Sequence, residues 1–163
     1  MQTHVRSSEP GIAGGWLLLA LDGLRLALPQ REVVLITLMD DLTAAGRDDA
    51  DEIGMLLRPQ GPSWPVFGLD GVLGLERRPS ETRRSCVFFG SGGEMRGLAC
   101  DHLWSLASDA DLSVAPVPGC LRAVRSPITG FARYRDGLVA VTHASELVAY
   151  LDYLTEHGHG QRE

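Results

Sequence analysis

Apolar residues along this chain come in short runs broken by turn residues, and a helical stripe emerges only near the C-terminal end. The stretch "WLLLALDGLRLALP" (16–29) is two apolar runs on either side of Asp22-Gly23. Asp-Gly supplies the positive φ angles of a type I′ turn, so the stretch predicts a β-hairpin. Leu24, Leu26 and Leu28 alternate onto one face, and Pro29 ends the ladder by removing a donor. "SCVFFGSGGEMRGLACD" (85–101) predicts a second hairpin around a glycine-rich turn. "PITGFARYRDGLVAVTH" (127–143) predicts a third, turning at Asp136-Gly137. Leu147, Val148, Leu151 and Leu154 then recur at helical spacing, with Thr142 or Ser145 placed to cap the helix and Gly158 to end it.

The intervening segments are less regular. Residues 31–42 read as a strand or a short helical turn, and 43–54 as an acidic surface loop. Residues 55–69 hold two short apolar runs around Pro59-Gln60-Gly61-Pro62, and 70–84 form a turn-rich connection. Residues 102–121 show little clean periodicity. No internal repeat or sustained heptad is present. Many short hairpins with Gly and Pro punctuation predict a mainly β fold of small barrels, with the terminal helix over an opening. The expected division is a flexible tail at 1–15, one barrel over 16–84, a second over 85–143, a helix over 144–157 and a tail at 158–163.

Composition narrows the function. The chain has 163 residues, 44% hydrophobic and 22% charged, with 19 Gly and 9 Pro. That is ordinary globular composition for one compact domain or two small subdomains. The net charge of −6 argues against nucleic-acid binding, which calls for a basic stripe. The densest basic stretch, Arg77, Arg78, Arg83 and Arg84, reads as a solvated loop. The apolar run from Trp16 to Leu21 is too short to insert in a membrane, so the expected location is cytoplasmic.

Candidate chemistry is sparse. Cys100-Asp101-His102 sets three active-site residue types side by side, but neighbours on a strand point to opposite faces. Cys100 reads instead as a small core side chain and Asp101 as a strand terminator bonding nearby backbone N–H groups. The three cysteines, Cys86, Cys100 and Cys120, show neither a disulfide framework nor zinc spacing. "GSGGEMRG" lacks the Lys-Ser/Thr of a phosphate loop and precedes a strand. No catalytic motif and no cofactor are implied. Trp16, Trp64 and Trp104 read first as core residues, with an interface anchor as the other reading.

Taken in order, the segments resemble the CheW-like domain of bacterial chemosensory adaptors. That family has a "GLxVDxVxxV" segment, a Pro-rich stretch and "IxGxxxxdGxLVxLLD" before a final helix. The matching stretches here are "GLACDHLWSL", "APVPG" and "ITGFARYRDGLVAVTH". "RPQGPSWPVFGLDGVLGL" is similar to the family's "LRGxxxPVxDLxxxLGL", with Gln60 at the arginine and Gly68 at the aspartate. "LALDGLRLALPQREVVLI" is similar to the opening hairpin and the "V-x-E-I/V" segment, where Val33 and Ile36 fit and Leu35 stands at the glutamate.

The resemblance implies two SH3-like five-stranded β-barrels with a groove between them and no enzymatic activity. It implies binding of a chemoreceptor's cytoplasmic helical tip and of the regulatory domain of a CheA-type histidine kinase, in chemotaxis or a pilus-type pathway such as twitching motility. The expected partner-binding residues are Val33, Leu35, Ile36, Gln60, Gly61 and Trp64, with Val33, Leu35 and Trp64 exposed at the groove. The competing reading is a thiol-based redox sensor or small enzyme using Cys100 or Cys86, which needs an exposed thiol of lowered pKa. A small-molecule-binding barrel is a weaker third reading.

Overall fold

The structure, a computed structural model, describes residues 14–44, 50–106, 112–121, 125–135 and 137–157. Its strands are β1 (Trp16–Leu21), β2 (Leu24–Pro29), β3 (Val33–Leu38), β4 (Thr43–Ala44), β5 (Gly54–Leu56), β6 (Trp64–Leu69) and β7 (Leu75–Glu76). They continue as β8 (Ser85–Ser91), β9 (Glu94–Cys100), β10 (His102–Leu106), β11 (Ser113–Pro116), β12 (Ile128–Tyr134) and β13 (Gly137–Thr142). A single helix, α1 (Ala144–His157), closes the described chain. The fold is mainly β, two sheets curled like barrels, as the turn pattern predicts.

Each predicted hairpin forms. Asp22 and Gly23 take φ values of 48° and 88° between β1 and β2, and Gly92 and Gly93 take 62° and 84° between β8 and β9. Both pairs have the left-handed geometry of a type I′ turn. In the third hairpin Tyr134 pairs with Gly137, so the reversal falls one residue earlier than expected. Arg135 adopts a positive φ of 55°, and Asp136 lies outside the described residues.

The strands do not divide at residue 84. One sheet runs β10-β1-β2-β13-β12-β11, and the other β3-β8-β9-β6-β5-β4 with β7 against β6. The N-terminal hairpin therefore joins the C-terminal half through the parallel pairing of β2 with β13, Leu26 opposite Ala140. The second sheet closes a similar connection through parallel β6 and β9, Val66 opposite Gly97. Among the described residues the two barrel-like sheets hold six and seven strands.

Strands β1 and β8 are buried on both faces, which accounts for the unbroken runs "WLLLAL" and "CVFF". Leu17, Leu19 and Leu21 of β1 join Val87 and Phe89 of β8 in a central cluster between the sheets. Leu18 faces the other way, into a cluster with Val139 and Val141 inside the first sheet's curl. Cys86 and Phe88 of β8 likewise face Val66 and Ala99 inside the second. There Gly97 leaves the space that its neighbours fill. A Cβ would meet Phe88 Cε1 at 2.7 Å and Cys86 Sγ at 2.8 Å. Helix α1 seals the central cluster with Leu147, Val148 and Leu151.

The helix cap comes from far away in sequence. The Glu32 carboxylate accepts the Ala144 N–H at 2.6 Å and lies 3.3 Å from His143 Nδ1. Thr142, an expected cap, instead donates its hydroxyl to the Pro127 carbonyl. A carboxylate at this position satisfies an orphan N–H and complements the helix dipole.

The basic stretch is not wholly a solvated loop. Arg83 has no exposed side-chain surface and faces three carboxylates. Nη1 donates to Asp22 Oδ1 at 3.0 Å and to Asp101 Oδ1, while Nη2 donates to Glu76 Oε1 at 2.7 Å and to the Leu69 carbonyl at 2.9 Å. Asp22 belongs to the β1–β2 turn, and Asp101 is the residue where the chain passes from β9 of one sheet to β10 of the other. One guanidinium thus ties the two sheets together. Nearby, Arg77 pairs with Asp51 at 3.3 Å.

Burial alone would raise the Asp101 pKa, but hydrogen bonds from the Asp22 N–H, Arg83 and Thr82 outweigh it and hold the carboxyl below its ordinary value. Its contribution to stability is therefore present above about pH 4 and is lost as pH falls through the lower folded-state value. Asp101→Asn should lower stability at neutral pH and flatten its decline between about pH 5 and 2, measured by urea unfolding across pH. Arg83→Met leaves three carboxylates without their cation. It should cost about 3 kcal/mol, the low end for a broken buried pair because the carboxylates keep some hydration. Arg83→Lys should recover only part, because an ammonium cannot fork.

Candidate functional site

The groove between the sheets begins with a bulge in β3. Val33 pairs with Phe89 and Leu35 with Phe88, so two steps on β3 match one on β8. The extra residue puts Val33 and Ile36 on the same side, against the central cluster. It turns Leu35 to the opposite side, into the second sheet's interior cluster.

Strand β3 is the edge of one sheet and β10 the edge of the other. Between them opens a cavity of about 350 Å³. Val33 and Ile36 form one wall, Leu103, Trp104 and Ser105 of β10 the other, and Leu17 and Gln30 complete it. Gln30 is held by its backbone N–H on the Gly15 carbonyl at 3.0 Å and its Nε2 on the Trp16 carbonyl at 3.4 Å. Val34 and Leu38 add exposed apolar surface to the same strand, 51% and 59% accessible. The slot between the two strand edges is mainly apolar, with Gln30 and Ser105 as its polar side chains, and its shape suits a protein segment.

The six expected site residues separate. Val33 and Ile36 reach the groove, whereas Leu35 and Trp64 pack into the second sheet's interior cluster. Trp64 stacks at 5.6 Å from Phe88 and carries the Arg58 guanidinium 4.4 Å above its ring. Gln60 and Gly61 lie in the exposed loop before β6, with Gly61 at φ 88°. Leu35 parts from Val33 because the bulge in β3 reverses the strand's alternation between them. Leu103 and Gln30 are not among the expected groove residues, and Trp104 is only through its second reading as an interface anchor, because their partners lie across a sheet boundary. Trp16 and Trp104 pack on the first sheet's cluster.

The suspected triad does not converge. Cys100 is buried in the central cluster and its thiol faces the Ser85 carbonyl at 3.5 Å. Asp101 accepts the Asp22 backbone N–H at 2.9 Å, as a strand terminator would, and His102 is exposed at the start of β10. Burial, with the neighbouring Asp101 charge, pushes the Cys100 thiol up to about 12, and burial beside Cys100 pushes Cys86 up as well. Both thiols are therefore protonated at neutral pH, the opposite of what a redox sensor needs. The two sit on opposite faces of their sheet. Among the described residues no group of three or more His, Cys, Asp or Glu is placed to hold a metal ion. No helix of the described residues is long and apolar enough to cross a membrane.

No protein-family model matches this sequence, and no curated protein does. Among solved structures, the crystal structure of the scaffolding protein TtCheW from Thermoanaerobacter tengcongensis matches with a TM-score of 0.61. The match is 18% identical and covers 80% of this chain and 89% of that one. The fold is CheW-like. One departure from the CheW-like motif, Gly68, has a local explanation in this fold. Gly68 pairs with Glu76 of β7, and a Cβ there would meet the Glu76 Cβ at 3.1 Å. Glu76 itself brings a carboxylate to Arg83 in that position.

The exposures of the cysteines make a direct prediction. Cys120 is exposed, whereas Cys86 and Cys100 are buried. A thiol reagent at pH 8 should titrate one cysteine rapidly in the native protein and all three only after denaturation. Rapid native labelling of Cys100 would restore the thiol-sensor reading.

Proposed function

We propose that the protein is a non-enzymatic adaptor of a bacterial chemosensory array, acting in the cytoplasm to couple a CheA-type histidine kinase to chemoreceptors or to a pilus-type pathway. The observation that carries this reading is the apolar groove between the free edges of β3 and β10 in a CheW-like fold. An amphipathic helix laid in such a groove buries its apolar face against Val33, Ile36 and Leu103. Interfaces of this size depend on a few well-packed anchors, and Trp104 is the largest side chain in the wall. Val33 and Ile36 are the receptor-side contacts of this reading. Gln60 and Gly61 stand on a separate loop and serve a second contact, with the kinase regulatory domain as its occupant.

Calorimetric titration with the regulatory domain of a CheA-type kinase from the same genome, and with a soluble receptor-tip hairpin, tests the proposal. Micromolar binding with a negative heat-capacity change is expected. Val33→Asp should abolish receptor-tip binding while the circular dichroism spectrum stays native. Unchanged affinity in that variant would remove the groove as the site, and binding of neither probe by the folded protein would remove the adaptor reading.

A further inference from the structure

Strand β10 divides two cavities. Leu103 and Trp104 line the apolar groove on one side and also a second cavity, of about 560 Å³, on the other. The second differs in chemistry. Arg25 of β2, His102 of β10 and Arg135 beside the β12–β13 turn surround it, with the Trp104 and Tyr134 rings as its platform.

Among the described residues, the arginines of this pocket make no ion pair. Arg77, Arg83 and Arg96 each have carboxylate partners. Arg25 donates to the Leu138 carbonyl at 3.4 Å, and Arg135 lies over the Tyr134 ring at 5.2 Å. Of the carboxylates close in sequence, Asp22 and Asp101 are turned to Arg83, and Asp136, next to Arg135, lies outside the described residues. Arg25 also occupies the space above Gly137, where a Cβ would land on its guanidinium. The protein as a whole carries a net charge of −6, so this pocket is a local reversal of sign.

We propose that this pocket receives acidic side chains of the partner segment whose apolar residues fill the adjoining groove. The pocket supplies the cations that the motif position Gln60 does not. Two forked guanidiniums grip carboxylates with defined geometry, and an aromatic floor lowers the local dielectric around them. On a negatively charged protein they also hold an acidic partner in one orientation, because it is repelled elsewhere. The shared wall of Leu103 and Trp104 lets one segment span both cavities. The partner's identity rests on the adaptor reading; the pocket's preference for carboxylates does not.

The test titrates the full chain with hexaglutamate and follows the indole N–H resonance of Trp104, assigned with Trp104→Phe. A saturable shift is expected at low ionic strength, weakened at least about tenfold by roughly 0.5 M salt, where the screening length is only a few Å. Arg25→Glu combined with Arg135→Glu should abolish it, and the Arg→Gln pair carries the same test if charge reversal disturbs folding. Gly137→Ala keeps both charges but displaces Arg25, and should weaken binding several-fold. Absence of a saturable shift, or equal affinity in the double variant, overturns the proposal. Tighter binding of adenosine monophosphate or inorganic phosphate at the same resonance also overturns it, in favour of a phosphate ligand. A receptor tip lost in Val33→Asp but indifferent to the double variant would keep the groove and discard the pocket. Hexaglutamate binding without any receptor-tip binding would keep the pocket and discard the adaptor reading.

Discussion

A single buried guanidinium holds the two halves of this protein in register. Arg83 reaches the β1–β2 turn through Asp22, the end of β6 through the Leu69 carbonyl, β7 through Glu76, and the β9–β10 crossing through Asp101. These contacts come from both sheets. Burying a charge is costly unless its partners are supplied, and here several segments must be in place before they are. The node therefore favours one arrangement of sheet against sheet. Among the described residues the Arg83 Nε has no hydrogen-bond partner, and the fork of Nη atoms makes the contacts.

That arrangement decides what the surface can do. Most of the space between the sheets is filled by the central cluster and sealed by α1. What remains open lies between the two sheet edges, where β3 and β10 approach without pairing. The bulge in β3 turns Val33 and Ile36 toward that opening together. Glu32, just before β3, caps α1, so the groove wall and the covering helix are mechanically joined. The proposed binding role uses this apolar slot and the cationic pocket across one strand from it. The buried, protonated Cys100 and the carboxylate-locked Asp101 contribute to packing and registration instead.

Much of the local structure was legible because it is encoded locally. Asp22-Gly23 and Gly92-Gly93 adopt positive φ values that few other pairs tolerate, and each produces its hairpin. The spacing of Leu147, Leu151 and Leu154 yields the helix that forms. The site was only half legible. Val33 and Ile36 line the groove while Leu35 faces away from it, and the bulge that separates them leaves no mark in a run of β-branched and aliphatic residues. Arg83 read as solvated because its carboxylates stand up to 61 positions away in sequence.

The sequence by itself determined the class of the fold: turn chemistry and short apolar runs impose hairpins, and a terminal stripe imposes one helix. Only the tertiary structure decided how the hairpins group. The first hairpin leaves its sequence neighbours to pair in parallel with β13, more than 100 residues on. Strand pairing at that distance depends on which apolar faces fit together and on where buried charges find partners. Neither quantity belongs to any short segment. For the same reason the groove and the cationic pocket, both assembled from strands far apart along the chain, exist only once the two sheets have met.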